Sequence, residues 1–212
     1  MITFSNDQFE QLLGRIGGSS KSGHESVANP SALGLGGFAL ATFVLSIFNA
    51  GEYLINSKLE PVVLPLALFY GGLSQLLAGM WEFKANNTFG ATAFTSYGAF
   101  WMSFAGYAHF IVPQIKQHGN VKKASGLFLL GWFLFTSIMN VAAVKLSKHL
   151  LVLFSCLNLT FLLLAIGNLG DIPLLVNIGG WLGIITAFIA WYGCAATVIN
   201  ATFKKQLLPT GA

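Results

Sequence analysis

Residues 28 to 48 read ANPSALGLGGFALATFVLSIF, an Asn-Pro corner followed by a glycine-rich apolar run that carries no charge. Asn29 is a favourable helix N-cap, and Pro30 suits the next position because the N–H that proline lacks would have no helical partner there. Three glycines in the first two turns leave one helix face bare, so that another backbone or a small solute can approach it. The stretch predicts a membrane-spanning helix whose start is either a functional surface or a packing face.

A second stretch of the same kind favours the functional interpretation. Residues 87 to 98 read NTFGATAFTSYG, and Asn87 and Thr88 again open an uncharged run. Helix N-termini carry unpaired N–H groups and the positive end of the helix dipole. Two such ends together predict a binding site for a small anion.

Composition sets the class of protein. The chain has 212 residues, of which 55% are hydrophobic and 8% charged, against ~25% charged in a typical soluble domain. Its mean hydropathy is +0.70. We therefore predict an all-α integral membrane protein. Uncharged runs long enough to cross a bilayer predict six spans, at about residues 32–50, 61–81, 92–112, 124–144, 150–167 and 172–202.

These spans divide the chain into a six-helix transmembrane domain, residues 29–203, an N-terminal tail, 1–28, and a short C-terminal tail, 204–212. With six spans, seven Lys and Arg residues flank the side that holds both termini and four flank the other, so we predict cytoplasmic termini. The loop 113–123 opposes this orientation because it carries three of those four. A bacterial inner membrane and a eukaryotic plasma membrane fit equally well. The net charge of +4 is scattered through the loops and predicts no nucleic-acid surface.

Few chemically active side chains lie in the spans. Glu82 ends the second span, where it is either a boundary residue or part of the field that an entering anion meets. Gln75 lies among glycines on the same span and is predicted to line a path, the alternative being an interhelical hydrogen bond. His109 sits near the end of the third span. Cys156 and Cys194 lie in apolar runs and offer neither a disulfide framework nor a metal site.

Enzymatic chemistry is not indicated. The sequence shows no paired carboxylates, catalytic triad, metal-ligand cluster or nucleotide-binding loop. We therefore predict no catalytic residues, no metal site and no cofactor.

The first stretch also resembles a known family. Residues 29 to 35, NPSALGL, are similar to the NPAPLGL signature of the acetate uptake transporter family. Further similar blocks follow in order, namely FYGGLSQLLAGMWEF (69–83), NTFGATAFTSYGAFW (87–101), LLLAIGN (162–168), GGWLGIITAFIAWY (179–192) and LLPTG (207–211). One departure is that Ser31 and Ala32 stand where the family usually has Ala and Pro. The missing proline is expected to loosen the first turn.

The resemblance implies a six-helix protomer in a ring-shaped homohexamer, with a path in each protomer for acetate and similar small carboxylates such as succinate. The family's constriction of three apolar or aromatic side chains falls on Phe38, Tyr97 and Leu157. The substrate-binding candidates are Gln75 and Glu82 together with residues of the two matched helix starts, namely Asn29, Pro30, Leu33, Gly34, Leu35, Asn87 and Thr88. Glycines on the second and sixth spans, at 71, 72, 79, 179, 180 and 183, predict tight helix contacts that suit oligomerisation.

Residues and resemblance together predict a mechanism. A carboxylate first binds at the starts of the first and third helices and then passes an apolar constriction, which selects by size and dewetting, with the Tyr97 hydroxyl as a further donor. Proton coupling stays open because no span interior offers a carboxylate or lysine as carrier. The substrate brings its own proton, Glu82 or His109 assists, or the protein is a passive channel. Two other functions stay open: passage of ammonia or ammonium, and a membrane sensor or scaffold without flux.

Overall fold

The structure, a computed structural model, describes residues 27–211 together with Asp7, and every regular element in that part of the chain is helical. The predicted N-terminal tail therefore lies almost wholly outside the described residues. The helices are α1 (Ser31–Asn49), α2 (Ser57–Lys84), α3 (Thr88–Gly106), α4 (Val121–Ala143), α5 (Lys148–Leu169) and α6 (Pro173–Phe203). A π turn at Tyr107–Ile111 extends α3 into a further helical segment, Val112–His118. Each predicted span coincides with one of these helices.

Side-chain caps explain where several helices begin. Asn87, Asn120 and Ser147 each accept a hydrogen bond from a backbone N–H in the first turn of α3, α4 and α5. Pro173 opens α6 at a position where proline removes no helical hydrogen bond. The helices α2, α3, α4 and α5 begin two to four residues before the uncharged runs, because their caps and first turns are polar and lie outside those runs.

Five of the described helices are long and apolar enough to cross a membrane, and α3 falls short of that apolarity. Threonine, serine and glycine take up much of α3, and nine of its 19 residues are buried, as are nine of 19 in α1. In α4, by contrast, four of 23 residues are buried. The polar composition of α3 therefore belongs to a helix enclosed by other helices, while α4 turns most of its apolar surface outward.

Glycines set how closely the helices approach. A Cβ on Gly37 of α1 would lie 2.5 Å from the Tyr70 carbonyl oxygen of α2, and a Cβ on Gly98 of α3 would lie 2.6 Å from the Leu76 backbone nitrogen. The glycines predicted to suit oligomerisation are used in the same way. All six are buried within the protomer against other helices, so they supply no contact surface for a second subunit.

The C-terminal segment folds back onto the bundle. Asn200, near the end of α6, accepts hydrogen bonds from the backbone N–H of Leu207 at 2.8 Å and of Leu208 at 3.0 Å, and donates to the Leu208 carbonyl at 2.8 Å. Two residues later, the Thr210 carbonyl accepts from the His149 N–H at 3.2 Å. The segment thereby satisfies free N–H groups at the start of α5.

Candidate functional site

A cavity of about 280 Å³ lies where α1, α3 and α5 begin. Side chains spaced about one turn apart on these three helices form most of its wall, while α2, α6 and the C-terminal segment complete it. The lining residues include Ser31, Leu35 and Phe38 of α1, Gly90, Ala93, Phe94 and Tyr97 of α3, Leu150, Leu153, Phe154 and Leu157 of α5, and Gln75, Gly193, Thr197 and Thr210. Asn29 and Thr210 line the same cavity, so both ends of the main described segment lie at the same end of the bundle.

Three helix N-termini meet at this cavity. The side chains of Asn29, Asn87 and Ser147 line it, and each accepts a hydrogen bond from a backbone N–H at its helix start, at 2.9, 3.0 and 3.2 Å. The converging positive dipole ends favour a negative ligand. The sequence analysis identified the first two starts and missed the third, because lysines at 145 and 148 give that stretch the look of an ordinary basic loop.

Phe38, Tyr97 and Leu157 close the inner end of the cavity. They follow the caps of α1, α3 and α5 by nine or ten residues, which at 1.5 Å per residue places them about 14 Å inside the bundle, near the middle of a ~30 Å hydrocarbon layer. Their exposed fractions are 5%, 2% and 4%, and the Phe38 and Tyr97 rings meet edge to face at 6.1 Å. The three predicted constriction residues therefore lie at one depth, and each is almost fully buried.

The Tyr97 hydroxyl is already engaged. Thr136 of α4 donates its single hydroxyl proton to the Trp132 carbonyl at 2.7 Å, so the 2.9 Å contact between Thr136 and Tyr97 has Tyr97 as donor. The predicted role of Tyr97 as a donor to a passing carboxylate is not supported by this geometry. The hydrogen bond instead fixes the orientation of the ring at the predicted constriction.

Gln75 lines the cavity, and one of its two polar side-chain atoms is unpaired in the described part of the chain. It is 1% exposed, and its side-chain oxygen has no partner among the described residues. Gln75 directly follows a π turn over Phe69–Ser74, which holds an extra residue per turn and so changes which residues of α2 face inward. An unsatisfied buried amide oxygen is costly, and a ligand that donates a hydrogen bond to it, such as a protonated carboxylic acid or ammonium, would relieve that cost.

Glu82 lies behind the cavity wall. It is 1% exposed and ties the starts of α1 and α3 to the end of α2, since Ser31 Oγ donates to Oε1 at 2.5 Å and Asn87 Nδ2 donates to Oε2 at 2.8 Å. Ser31, one of the two residues that depart from the family signature, thus adds a hydrogen bond to the first turn of α1, the turn in which the missing proline at Ala32 was expected to cause loosening.

Four other predicted binding residues do not line the cavity. Pro30 contributes its carbonyl oxygen to the Leu33 and Gly34 N–H groups, and Leu33 is 46% exposed. Gly34 leaves room for the Phe94 ring, and Thr88 is exposed at the start of α3. Of the matched helix starts, the cavity wall contains Asn29, Leu35 and Asn87.

His149 is a cavity residue that the sequence analysis missed. It lies in the first turn of α5, and its Nε2 is 2.8 Å from the Ile189 carbonyl oxygen of α6. The residue stands next to Lys148 at the edge of an apolar run, where it looks like part of a basic boundary. By contrast, His109 is exposed and does not line the cavity.

Comparison with known proteins agrees with this architecture. A family model described as the GPR1/FUN34/yaaH family matches residues 15–209. The chain belongs to this family. The resemblance found from the sequence blocks is thereby confirmed.

Several relatives carry names that describe transport. Ammonia transport outward protein 2 of Saccharomyces cerevisiae is 42% identical over 91% of this chain and 70% of its own length. Acetate permease A of Emericella nidulans is 39% identical over 94% and 73%. The succinate-acetate/proton symporter SatP of Escherichia coli is 36% identical over 89% and 98%. The chain spans 61% to 74% of the length of four fungal relatives.

A solved structure has the same fold. The structure of the bacterial acetate channel SatP superposes with a TM-score of 0.77 at 35% identity, covering 87% of this chain and 99% of that one. The chain is therefore an all-helical integral membrane protein with five or six apolar helices in the arrangement of that channel.

Proposed function

We propose that this protein is a membrane transporter or channel for acetate and related small carboxylates, through a path inside each protomer. The observation that carries the proposal is the shape of the cavity, which leads from three helix N-termini to a closed apolar constriction about 14 Å deeper. The names of SatP and of acetate permease A support the same substrate class.

The mouth of the cavity selects for a small anion. Asn29, Asn87 and Ser147 place helix starts around it. The positive dipole ends of these helices favour a negative charge at the mouth. Glu82 holds two of these helix starts together and does not contact the cavity, so we assign it a positioning role.

The constriction selects for a short molecule. Phe38, Tyr97 and Leu157 are almost fully buried, so passage between them requires at least one side chain to move. An apolar gate of this kind admits a solute that has a methyl group beside its carboxylate. It disfavours ions that are bulkier or more strongly hydrated.

The path continues beyond the constriction past two buried polar groups. Thr42 and Trp101 follow Phe38 and Tyr97 by four residues, one turn further along the same helix faces. Their polar atoms, Oγ1 and Nε1, have no hydrogen-bond partner among the described residues. Both groups can donate to a carboxylate that has passed the gate.

The surrounding architecture is also part of the proposal. We infer six spans, including the less apolar α3, with both termini in the cytoplasm, in a bacterial inner membrane or a plasma membrane. We further infer a ring-shaped homohexamer, with residues 29–203 as the transport domain between the two tails. Native mass spectrometry of the full chain in detergent tests the subunit number, and six is the expected result.

Uptake of labelled acetate into proteoliposomes tests the function. Wild type should exceed empty vesicles, succinate should compete, and Phe38→Ala or Leu157→Ala should admit larger acids. If folded wild type gives no uptake above empty vesicles, the carboxylate proposal fails.

Passage of ammonia or ammonium is the second candidate. The name of one relative favours it, and the neutral constriction suits uncharged ammonia. Labelled methylammonium in the same vesicles distinguishes the two, because the anion-favouring helix starts should not help a cation. A protein that moves neither solute while folded would instead be a sensor or scaffold.

A further inference from the structure

The cavity wall holds one titratable side chain, that of His149, which the proposed function does not use. Among the described lining residues only Tyr97 and His149 carry titratable groups, and imidazole is the side chain that ordinarily changes its charge near neutral pH. Building on the proposed function, we propose that His149 binds the substrate's carboxyl group at the cavity mouth and holds the proton that travels with it.

The hydrogen bonds of His149 leave one ring nitrogen available. Its Nε2 is 2.8 Å from the Ile189 carbonyl oxygen, and because a carbonyl only accepts, Nε2 carries the proton in the neutral ring. Nδ1 then has the free lone pair, and no partner for it occurs among the described residues. The bond to Ile189 therefore fixes a tautomer in which Nδ1 can accept a proton.

The proton transfer is balanced between acid and ring. A carboxylic acid that reaches Nδ1 gives its O–H proton to the lone pair, and the electrons of the broken O–H bond stay on the oxygen. The products are a carboxylate and an imidazolium, joined by a charge-assisted hydrogen bond from Nδ1–H. Reversal of the step releases the neutral acid toward the constriction or back to solvent.

The surroundings of His149 leave its negative partner to come from a ligand. On α6, the Tyr192 ring lies 5.9 Å from the imidazole and Gly193 leaves the space that the ring occupies. Lys148 on the same helix is exposed, and Glu82 is engaged by two other donors. No carboxylate lines the described cavity wall, so within that part of the chain an imidazolium here meets a negative charge only when an anion is bound.

Inhibition by methanesulfonate tests this role, because that anion resembles acetate and stays charged throughout the working range of pH. In wild type we expect methanesulfonate to inhibit acetate uptake at least about tenfold more strongly near pH 6 than near pH 8. A hydrogen bond from a charged group strengthens anion binding by about that factor. His149→Gln keeps an amide that can donate to the Ile189 carbonyl and should remove this difference. His109→Gln, an exposed histidine away from the cavity, should behave as wild type.

Nitrogen NMR of histidine-labelled full-length protein in detergent gives a second readout that needs no transport. The His149 resonances, identified by their loss in His149→Gln, should show protonated Nε2 and unprotonated Nδ1 near pH 8, and methanesulfonate near pH 6 should protonate Nδ1. A protonated Nδ1 in the neutral ring, or no response to the anion, would overturn the inference. So would an unchanged pH dependence of inhibition in a folded His149→Gln variant. Absence of wild-type uptake alone would count against the proposed function and leave the NMR result to decide on His149.

Discussion

At the scale of single residues, the role of Tyr97 in the proposed constriction depends on the direction of one hydrogen bond. Thr136 donates to the Trp132 carbonyl, which leaves Tyr97 to donate to Thr136. The tyrosine hydroxyl therefore orients an aromatic ring and does not face an acceptor in the cavity. The Tyr97 ring and the Tyr97 hydroxyl therefore contribute to the proposed gate in different ways: the ring narrows it, and the hydroxyl holds the ring in place.

Substitution of Tyr97 tests that separation. Tyr97→Phe should keep acetate uptake close to wild type, with thermal stability lower by an amount equivalent to about 1 kcal/mol, since one buried hydrogen bond is lost. Tyr97→Ala should widen the gate, so that acids larger than acetate compete for uptake. Competition assays and thermal unfolding in detergent measure both effects. Loss of uptake in a folded Tyr97→Phe protein would mean that the hydroxyl serves the substrate directly.

Ser31 offers a second test at this scale. Ser31→Ala installs the residue usual in the family and removes the donor to Glu82 Oε1, so we expect lower thermal stability, by about 1–3 kcal/mol for a buried acceptor left unpaired. Ser57→Ala is a matched control, because its hydroxyl also donates to a glutamate, Glu52, but on the exposed surface at the start of α2. Equal, small effects of the two substitutions would show that Ser31 does not hold the start of α1.

At the scale of helices, the close approach of α1 and α2 brings Gln75 into the cavity wall. Because Gly37 has no side chain, the Tyr70 carbonyl oxygen of the π turn can approach α1 closely. A Cβ on Gly37 would lie 2.5 Å from that oxygen. Such a contact forces backbone to shift, because a carbonyl group in a packed helix cannot rotate away as a flexible side chain does. The position of Gln75 therefore depends on Gly37.

Gly37→Ala should lower thermal stability and reduce acetate uptake together, with a cost typical of overpacking, about 1–3 kcal/mol. Gly131→Ala on α4 is the control, since an added Cβ there meets nothing within 4 Å, and alanine in a helix is more stable than glycine by up to ~1 kcal/mol. If Gly37→Ala is as stable and active as Gly131→Ala, the close approach is not required.

At the scale of the whole molecule, Asn29 and Thr210 line one cavity, which fits an even number of crossings. We expect reporters fused to the two ends of the full chain to be found on the same side of the membrane, and the cytoplasmic side by the distribution of lysines and arginines. Protease or alkylation access in intact cells measures this. Reporters on opposite sides would contradict six spans and indicate that α3 does not cross.

The sequence alone determined the class of protein, the positions of the helices, and two of the three capping residues that line the cavity, Asn29 and Asn87. Uncharged runs of bilayer length and capping residues are local properties, so they can be read without knowledge of what packs where. The constriction at Phe38, Tyr97 and Leu157 followed from family resemblance, because an aromatic residue in an apolar run is by itself indistinguishable from core.

Only the tertiary structure decided which polar groups share a space. It joined Ser31, Glu82 and Asn87 across three helices, used the glycines of α2 and α6 inside the protomer, and brought Ser147, His149 and Thr210 to the cavity. These are contacts between residues far apart in the chain. Burial, hydrogen-bond partners and the free nitrogen of His149 depend on neighbours that local sequence patterns do not specify.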